Sequence, residues 1–95
     1  MKLAEIKLIA EKYLSLLLPY CLKGEIAGSI RREKPDCGDI EIVCVINPKC
    51  LYQFADATFS MGKNVKGTCY GKYMQRVLPE GVKLDLFMAK KKTTG

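Results

Sequence analysis

The run Asp39-Ile40-Glu41-Ile42-Val43-Cys44-Val45-Ile46 constrains this chain more than any other stretch. β-Branched residues dominate it and Asn47-Pro48 closes it, which predicts a strand over Asp39–Ile46. Side chains alternate across a sheet, so Ile40, Ile42 and Cys44 point one way, into a helix layer. Asp39 and Glu41 point the other way, roughly 6.5–7 Å apart along the strand. Two acids on a buried face are costly unless a cation offsets them. The strand therefore belongs to a sheet with an apolar, covered side and an acidic side that is wet or holds cations.

The other segments supply the cover. Over residues 2–18, Leu3, Ile6, Ile9, Ala10, Tyr13, Leu16 and Leu17 recur at helical spacing on one face, opposite Lys7, Glu11, Lys12 and Ser15. Leu8 falls outside that stripe, and Pro19 ends the helix. Glu25-Ile26-Ala27 predicts a short strand, and residues 50–60 a short helix with Leu51, Phe54, Ala55 and Thr58 on one face. Beyond them the pattern is that of antiparallel sheet, with strands over 65–70, 72–78 and 82–89. The last two flank Pro79-Glu80-Gly81, whose residues suit a tight hairpin turn. Residues 90–95 read as a frayed tail. The expected fold is α+β: one domain over residues 1–95, with a small mixed or antiparallel sheet and helices packed on one face.

Composition excludes several function classes. With no histidine, the serine–histidine and cysteine–histidine hydrolase arrangements are ruled out. The five cysteines, at 21, 37, 44, 50 and 69, form no Cys-x-x-Cys pair, which speaks against a zinc site and against a disulfide framework. A reduced, cytoplasmic setting is expected, with no membrane span and no secretory signal. The net charge of +6 is uneven: residues 1–60 carry eight basic and eight acidic side chains, whereas residues 61–95 carry eight basic against Glu80 and Asp85. A basic half attracts phosphate, although lysines also keep exposed strands soluble. Lys63, Lys66, Lys72 and Arg76, interleaved with Tyr70 and Tyr73, are the residues expected to follow a nucleic-acid backbone. The alternative for them is a solvated outer face of the hairpin.

A third acid has the same setting as the first two. Asp85 lies between Leu84 and Leu86 in a predicted strand, and adjacent strands would bring it within about 5 Å of Asp39 or Glu41. Three carboxylates with no imidazole or thiolate beside them favour a hard cation, Mg²⁺ or Mn²⁺. The plainer alternative is three wet strand-edge acids paired with Lys83 or Arg32. Upstream, Gly28-Ser29-Ile30-Arg31-Arg32 follows a short strand and is expected to open a helix. There a glycine permits close approach, a hydroxyl donates, and an arginine adds a planar charged fork for phosphate.

Gly28-Ser29, nine further residues, then Asp39-Ile40-Glu41-Ile42 resembles the signature of polymerase-beta-like nucleotidyltransferases. With Gly38-Asp39 and Lys83-Leu84-Asp85-Leu86-Phe87 added, residues 24–89 look most like the palm of family X DNA polymerases. The resemblance implies two divalent ions bridged by Asp39 and Glu41, with Asp85 on the ion that activates the attacking hydroxyl. It implies that Ser29 and Arg32, following Gly28, contact the β- and γ-phosphates of a nucleoside triphosphate, and that Gly38 lies against the nucleotide. Arg31 is the poorer candidate. Glu41 stands where polymerases of this type often have Asp, and the chain runs only ten residues past Asp85. A thumb and a separate DNA-binding region are thus expected to be absent. The expected function is Mg²⁺-dependent nucleotidyl transfer to a hydroxyl acceptor, first as a minimal family X-like DNA polymerase on a primer–template. The alternatives are a stand-alone nucleotidyltransferase acting on a protein or small molecule, and a non-catalytic palm remnant that binds nucleic acid. A second copy or a partner subunit would supply missing parts.

Overall fold

The alternation along the acidic strand sets the architecture. A computed structural model describes residues 2–68 and 70–90. Strand β2 (Asp39–Ile46) has Ile40, Ile42, Cys44 and Ile46 buried, while the residues between them are half-buried or exposed. Eight elements follow in chain order: α1 (Leu3–Leu17), β1 (Cys21–Ala27), α2 (Gly28–Arg31), β2, α3 (Leu51–Phe59), β3 (Lys63–Gly67), β4 (Tyr73–Val77) and β5 (Lys83–Lys90). The strands form one mixed sheet in the order β1-β2-β5-β4-β3. β1 runs antiparallel to β2, β5 parallel to β2, and β4 antiparallel to both β5 and β3. The fold is a small α+β domain.

All the buried apolar groups lie on one side of that sheet. Ile6, Ala10, Tyr13 and Leu17 of α1, Ile30 of α2, and Phe54 and Ala55 of α3 meet Ile40, Ile42, Leu84, Leu86 and Met74 from the strands. Among the described residues the other side carries no helix, and its side chains stay half-buried or exposed.

Both longer helices match their sequence pattern, with one exchange. Leu16, expected on the buried face of α1, is 47% exposed; Leu14 is packed against the core instead. A Cβ at Gly24 would sit only 3.1 Å from Leu14 Cδ1 and from Leu18 Cδ2, so this glycine lets the helix descend onto β1. β1 begins at Cys21, paired with Ile46, rather than at Glu25. Leu8, outside the stripe, is 70% exposed. Pro19 sits in a 3₁₀ turn (Leu18–Tyr20) directly after α1.

The strand expected over 65–70 is displaced to Lys63–Gly67, with a register irregularity between Asn64 and Lys66. Gly67 ends it: φ is +78°, and a Cβ there would lie 2.1 Å from the carbonyl oxygen of Tyr73. The 79–81 hairpin forms as expected, with the carbonyl of Leu78 accepting from Gly81 N–H. Of the expected tail, Lys90 closes β5 opposite Ile46, and residues 91–95 lie outside the described residues. Cys21, Cys37, Cys44 and Cys50 are free thiols, whereas Cys69 is not among the described residues.

The hairpin turn is fastened to α1 by charge. The buried Tyr13 hydroxyl donates to Glu80 Oε1 at 2.7 Å, and Lys12 Nζ lies 3.2 Å from Oε2. The phenol holds the Glu80 carboxyl below its ordinary value of 4.5, while burial and Glu80 push the Tyr13 phenol up to about 12. A lowered carboxyl stabilises the fold above its unfolded pKa and stops doing so as pH falls through the folded one. Removal of the phenol oxygen in Tyr13→Phe is expected to cost about 1 kcal/mol near pH 7. Urea unfolding at pH 7 and pH 3 should show that difference shrinking in acid; an equal loss at both would refute the ionic link.

Candidate functional site

The open face of the sheet is organised in cross-strand rows. Ala27, Glu41, Asp85, Gln75 and Lys66 are register partners across all five strands, in the order β1, β2, β5, β4, β3. On one side of this row lie Glu25, Val43, Phe87 and Tyr73; on the other lie Asp39, Lys83, Val77 and Lys63. Neighbouring strands are spaced by about 4.8 Å, so Glu41 and Asp85 are direct neighbours. Asp39 shares their face two residues upstream of Glu41.

The acids are not neutralised by the obvious cations. Among the described residues the salt bridge is Lys12–Glu80, and neither Lys83 nor Arg32 pairs with Asp39, Glu41 or Asp85. Donors hold Asp85 instead. The Tyr73 hydroxyl donates to its Oδ1 at 2.5 Å, and Gln75 Nε2 donates to the same oxygen at 2.9 Å. The bond to Asp85 is the first cause that pushes the Tyr73 phenol up to about 12; the charges of Asp85, Asp39 and Glu41 add to it. One hydroxyl thus feels the charge of all three carboxylates.

Glu41 is placed by a different device. Gly28 begins α2 with φ at +69°, and a Cβ on it would lie 2.6 Å from Glu41 Cδ and Oε2. A larger side chain there would displace the Glu41 carboxylate, and the left-handed backbone at Gly28 disfavours any residue with a Cβ. α2 is a single turn, so its dipole is small, and the close approach of Gly28 matters more than helix polarity. Ser29 is half-buried, and its carbonyl accepts from Lys34 N–H. Buried Ile30 and Cys37 anchor the loop from α2 to β2, and Leu3 N–H bonds the Pro35 carbonyl. Arg31, Arg32 and Gly38 are exposed on that anchored loop. A Cβ at Gly38 would meet nothing within 4 Å, so the fold itself does not require glycine there.

The basic residues divide. Lys63 and Lys66 lie on the acidic face, and Lys66 Nζ is 5.7 Å from the Tyr73 ring centroid. Lys72 is exposed just ahead of β4. Arg76 corrects the sequence reading: it is 4% exposed on the helix side of β4, and its Nε and Nη2 donate to the carbonyls of Met61 and Gly62 at 2.9 and 2.8 Å. Alternation along β4 does put Met74 and Arg76 on one face, but that face is the core and not the solvated side, and Lys72, ahead of the strand, does not share it.

Gln75 was not among the expected site residues, and Tyr73 was expected beside the basic residues rather than at Asp85. The signal for them lies in the hairpin: a turn centred on Glu80 places Gln75 opposite Asp85 and Tyr73 opposite Phe87.

As a cation site the arrangement fits in donor type and in backbone placement. Among the described residues, however, no three His, Cys, Asp or Glu side chains are gathered into a ready-made metal group. Asp85 is engaged by its two donors and Glu41 lies against Gly28, so the shared face comes from the strands. No protein-family model matches the sequence, and no curated protein matches it.

Gly28 is the sharpest structural requirement of the site. Gly28→Ala is expected to lower stability by about 1–2 kcal/mol through its left-handed backbone alone, and by more where Glu41 must shift. Gly38→Ala should stay within about 0.5 kcal/mol of wild type. Thermal unfolding of both variants checks this contrast, which equal effects would refute.

Proposed function

We propose that this chain is a nucleotidyltransferase of the family X polymerase type, moving a nucleoside monophosphate from a triphosphate to a hydroxyl acceptor. The observation that carries this reading is the row Glu41–Asp85, with Asp39 on the same uncovered face. Acids so placed, and without an ion-pair partner among the described residues, are chemically suited to hard cations. When bound, Mg²⁺ or Mn²⁺ ions would neutralise the triphosphate and lower the pKa of the acceptor hydroxyl.

The chain's own residues divide the remaining tasks. Asp39, Glu41 and Asp85 would hold the cations. The Ser29 hydroxyl and the exposed Arg32 guanidinium would grip phosphate oxygens, and Gly28 and Gly38 would let backbone approach the nucleotide. In the transfer, the acceptor oxygen forms a bond to the α-phosphorus while the bond from that phosphorus to the β-phosphate oxygen breaks. The hydroxyl proton passes to solvent and pyrophosphate leaves. Positioning and charge supply most of the acceleration, with no covalent intermediate on the protein.

Lys63 and Lys66 on the same face favour a nucleic acid, with a DNA primer end as the proposed acceptor. The reading excludes Arg76 from that contact because its guanidinium is committed to main-chain carbonyls.

Transfer is to be measured with labelled nucleoside triphosphates, Mg²⁺ or Mn²⁺, and either primed DNA or a cell extract. Extended primer is the expected product; labelled protein would move the acceptor to a polypeptide. Asp39→Ala and Asp85→Ala are each expected to lower the rate by at least about a hundredfold, while Lys12→Ala leaves it unchanged. Full activity in both carboxylate variants would end this proposal.

A further inference from the structure

The three carboxylates are not supported alike. Asp85 accepts two side-chain hydrogen bonds, whereas among the described residues Asp39 and Glu41 accept none. Both bonds fall on the same oxygen, Oδ1, from Tyr73 at 2.5 Å and Gln75 at 2.9 Å. Two donors on one oxygen fix the carboxyl plane, a torsion that is otherwise broad and nearly free in aspartate. They leave Oδ2 without a hydrogen bond from any described side chain.

The donors are themselves held. The Tyr73 ring packs on Phe87 with centroids 5.1 Å apart, and Lys66 Nζ lies 5.7 Å from its centroid. Gln75 is the register partner of Asp85 across β4 and β5, and its flanking residues Met74 and Arg76 are buried. A mobile donor could not orient a carboxylate, but these two stand on paired strands.

Resting on the nucleotidyltransferase reading, we infer that Tyr73 and Gln75 are positioning residues: they clamp Oδ1 of Asp85 so that Oδ2 is the oxygen presented to a divalent cation. Hydrogen bonds to the outer atom of a ligating side chain fix its orientation, and their loss typically weakens metal binding by about 10–100-fold. Neither residue touches the reacting atoms. Their effect runs wholly through Asp85, which makes it separable from an effect on folding.

The experiment is a titration of the full chain with Mn²⁺ alone, following free Mn²⁺ by electron paramagnetic resonance. Wild type, Tyr73→Phe, Gln75→Leu, Asp85→Asn and the Tyr73→Phe/Asp85→Asn pair are compared. Tyr73→Phe keeps the ring, and with it the contacts to Phe87 and Lys66, so metal-free thermal unfolding should stay close to wild type. Its Mn²⁺ affinity is expected to fall about tenfold, and that of Gln75→Leu in the same direction. In the Asp85→Asn background the tyrosine change should cost nothing further. Unchanged affinity in Tyr73→Phe, or an equal loss with and without the Asp85 carboxylate, overturns the positioning role while leaving the metal reading intact. Wild type that takes up no Mn²⁺, or Asp85→Asn that binds it as wild type does, overturns both.

Discussion

The parallel pairing of β2 with β5 is the constraint on which the rest of this molecule depends. It sets Glu41 beside Asp85 in the middle of the sheet, where like charges repel. Two unit charges about 5 Å apart oppose each other by roughly 1 kcal/mol in water and about 3 kcal/mol near a protein surface. Parallel neighbours cannot be joined by a tight turn, so α3, β3 and β4 all intervene along the chain before β5 takes its place. The apolar undersides, Ile40, Ile42, Leu84 and Leu86, are completely buried and hold the pair in register against the repulsion. A slip of one residue would put the acids in the core and those side chains in water.

The two faces of the sheet therefore carry separate duties. Stability resides beneath it, where helices, buried methionines and Arg76 close the core. Arg76 belongs wholly to that side: by bonding the carbonyls of Met61 and Gly62 it ties the turn after α3 to β4. The opposite face bears carboxylates, Lys63, Lys66, Lys83 and the Tyr73–Phe87 pair, and none of these belongs to the buried cluster. Substitutions on the open face can therefore change chemistry with little effect on folding, which is the condition under which kinetics or metal affinity can be read cleanly.

Much of this was legible in the residues because the periods are clean. The two-residue alternation of Asp39–Ile46 named both its faces, the helical spacing of Ile6, Ala10, Tyr13 and Leu17 named the buried stripe, and Pro79-Glu80-Gly81 named a turn. What escaped were facts set by distant contacts. Leu14 and Leu16 are one residue type two positions apart, and Leu14 is the one that packs over Gly24. An arginine on an alternating strand reads as solvated until two carbonyls from another segment are found beneath it. The strand ended by Gly67 shifts because a left-handed glycine, not hydrophobicity, sets its limit. Tyr73 and Gln75 needed a register, and the register needed the turn.

The support of the site is uneven in a way the pairing explains. Asp39, at the start of β2, is exposed, and its nearest order comes from the anchored loop before it. Glu41 has its carboxylate against the left-handed Gly28, where a Cβ would displace it. Asp85 lies on a strand with neighbours on both sides and so can recruit donors from β4, a position β2 lacks because its other neighbour, β1, offers Ala27 at the same level. A carboxylate flanked by an alanine and a second carboxylate has no hydrogen-bond donor within the sheet; one flanked by glutamine and tyrosine has two. Exchanging β1 and β4 about the central pair would transfer that support from Asp85 to Glu41, so strand order, as much as the acids themselves, decides which carboxylate is held in one orientation.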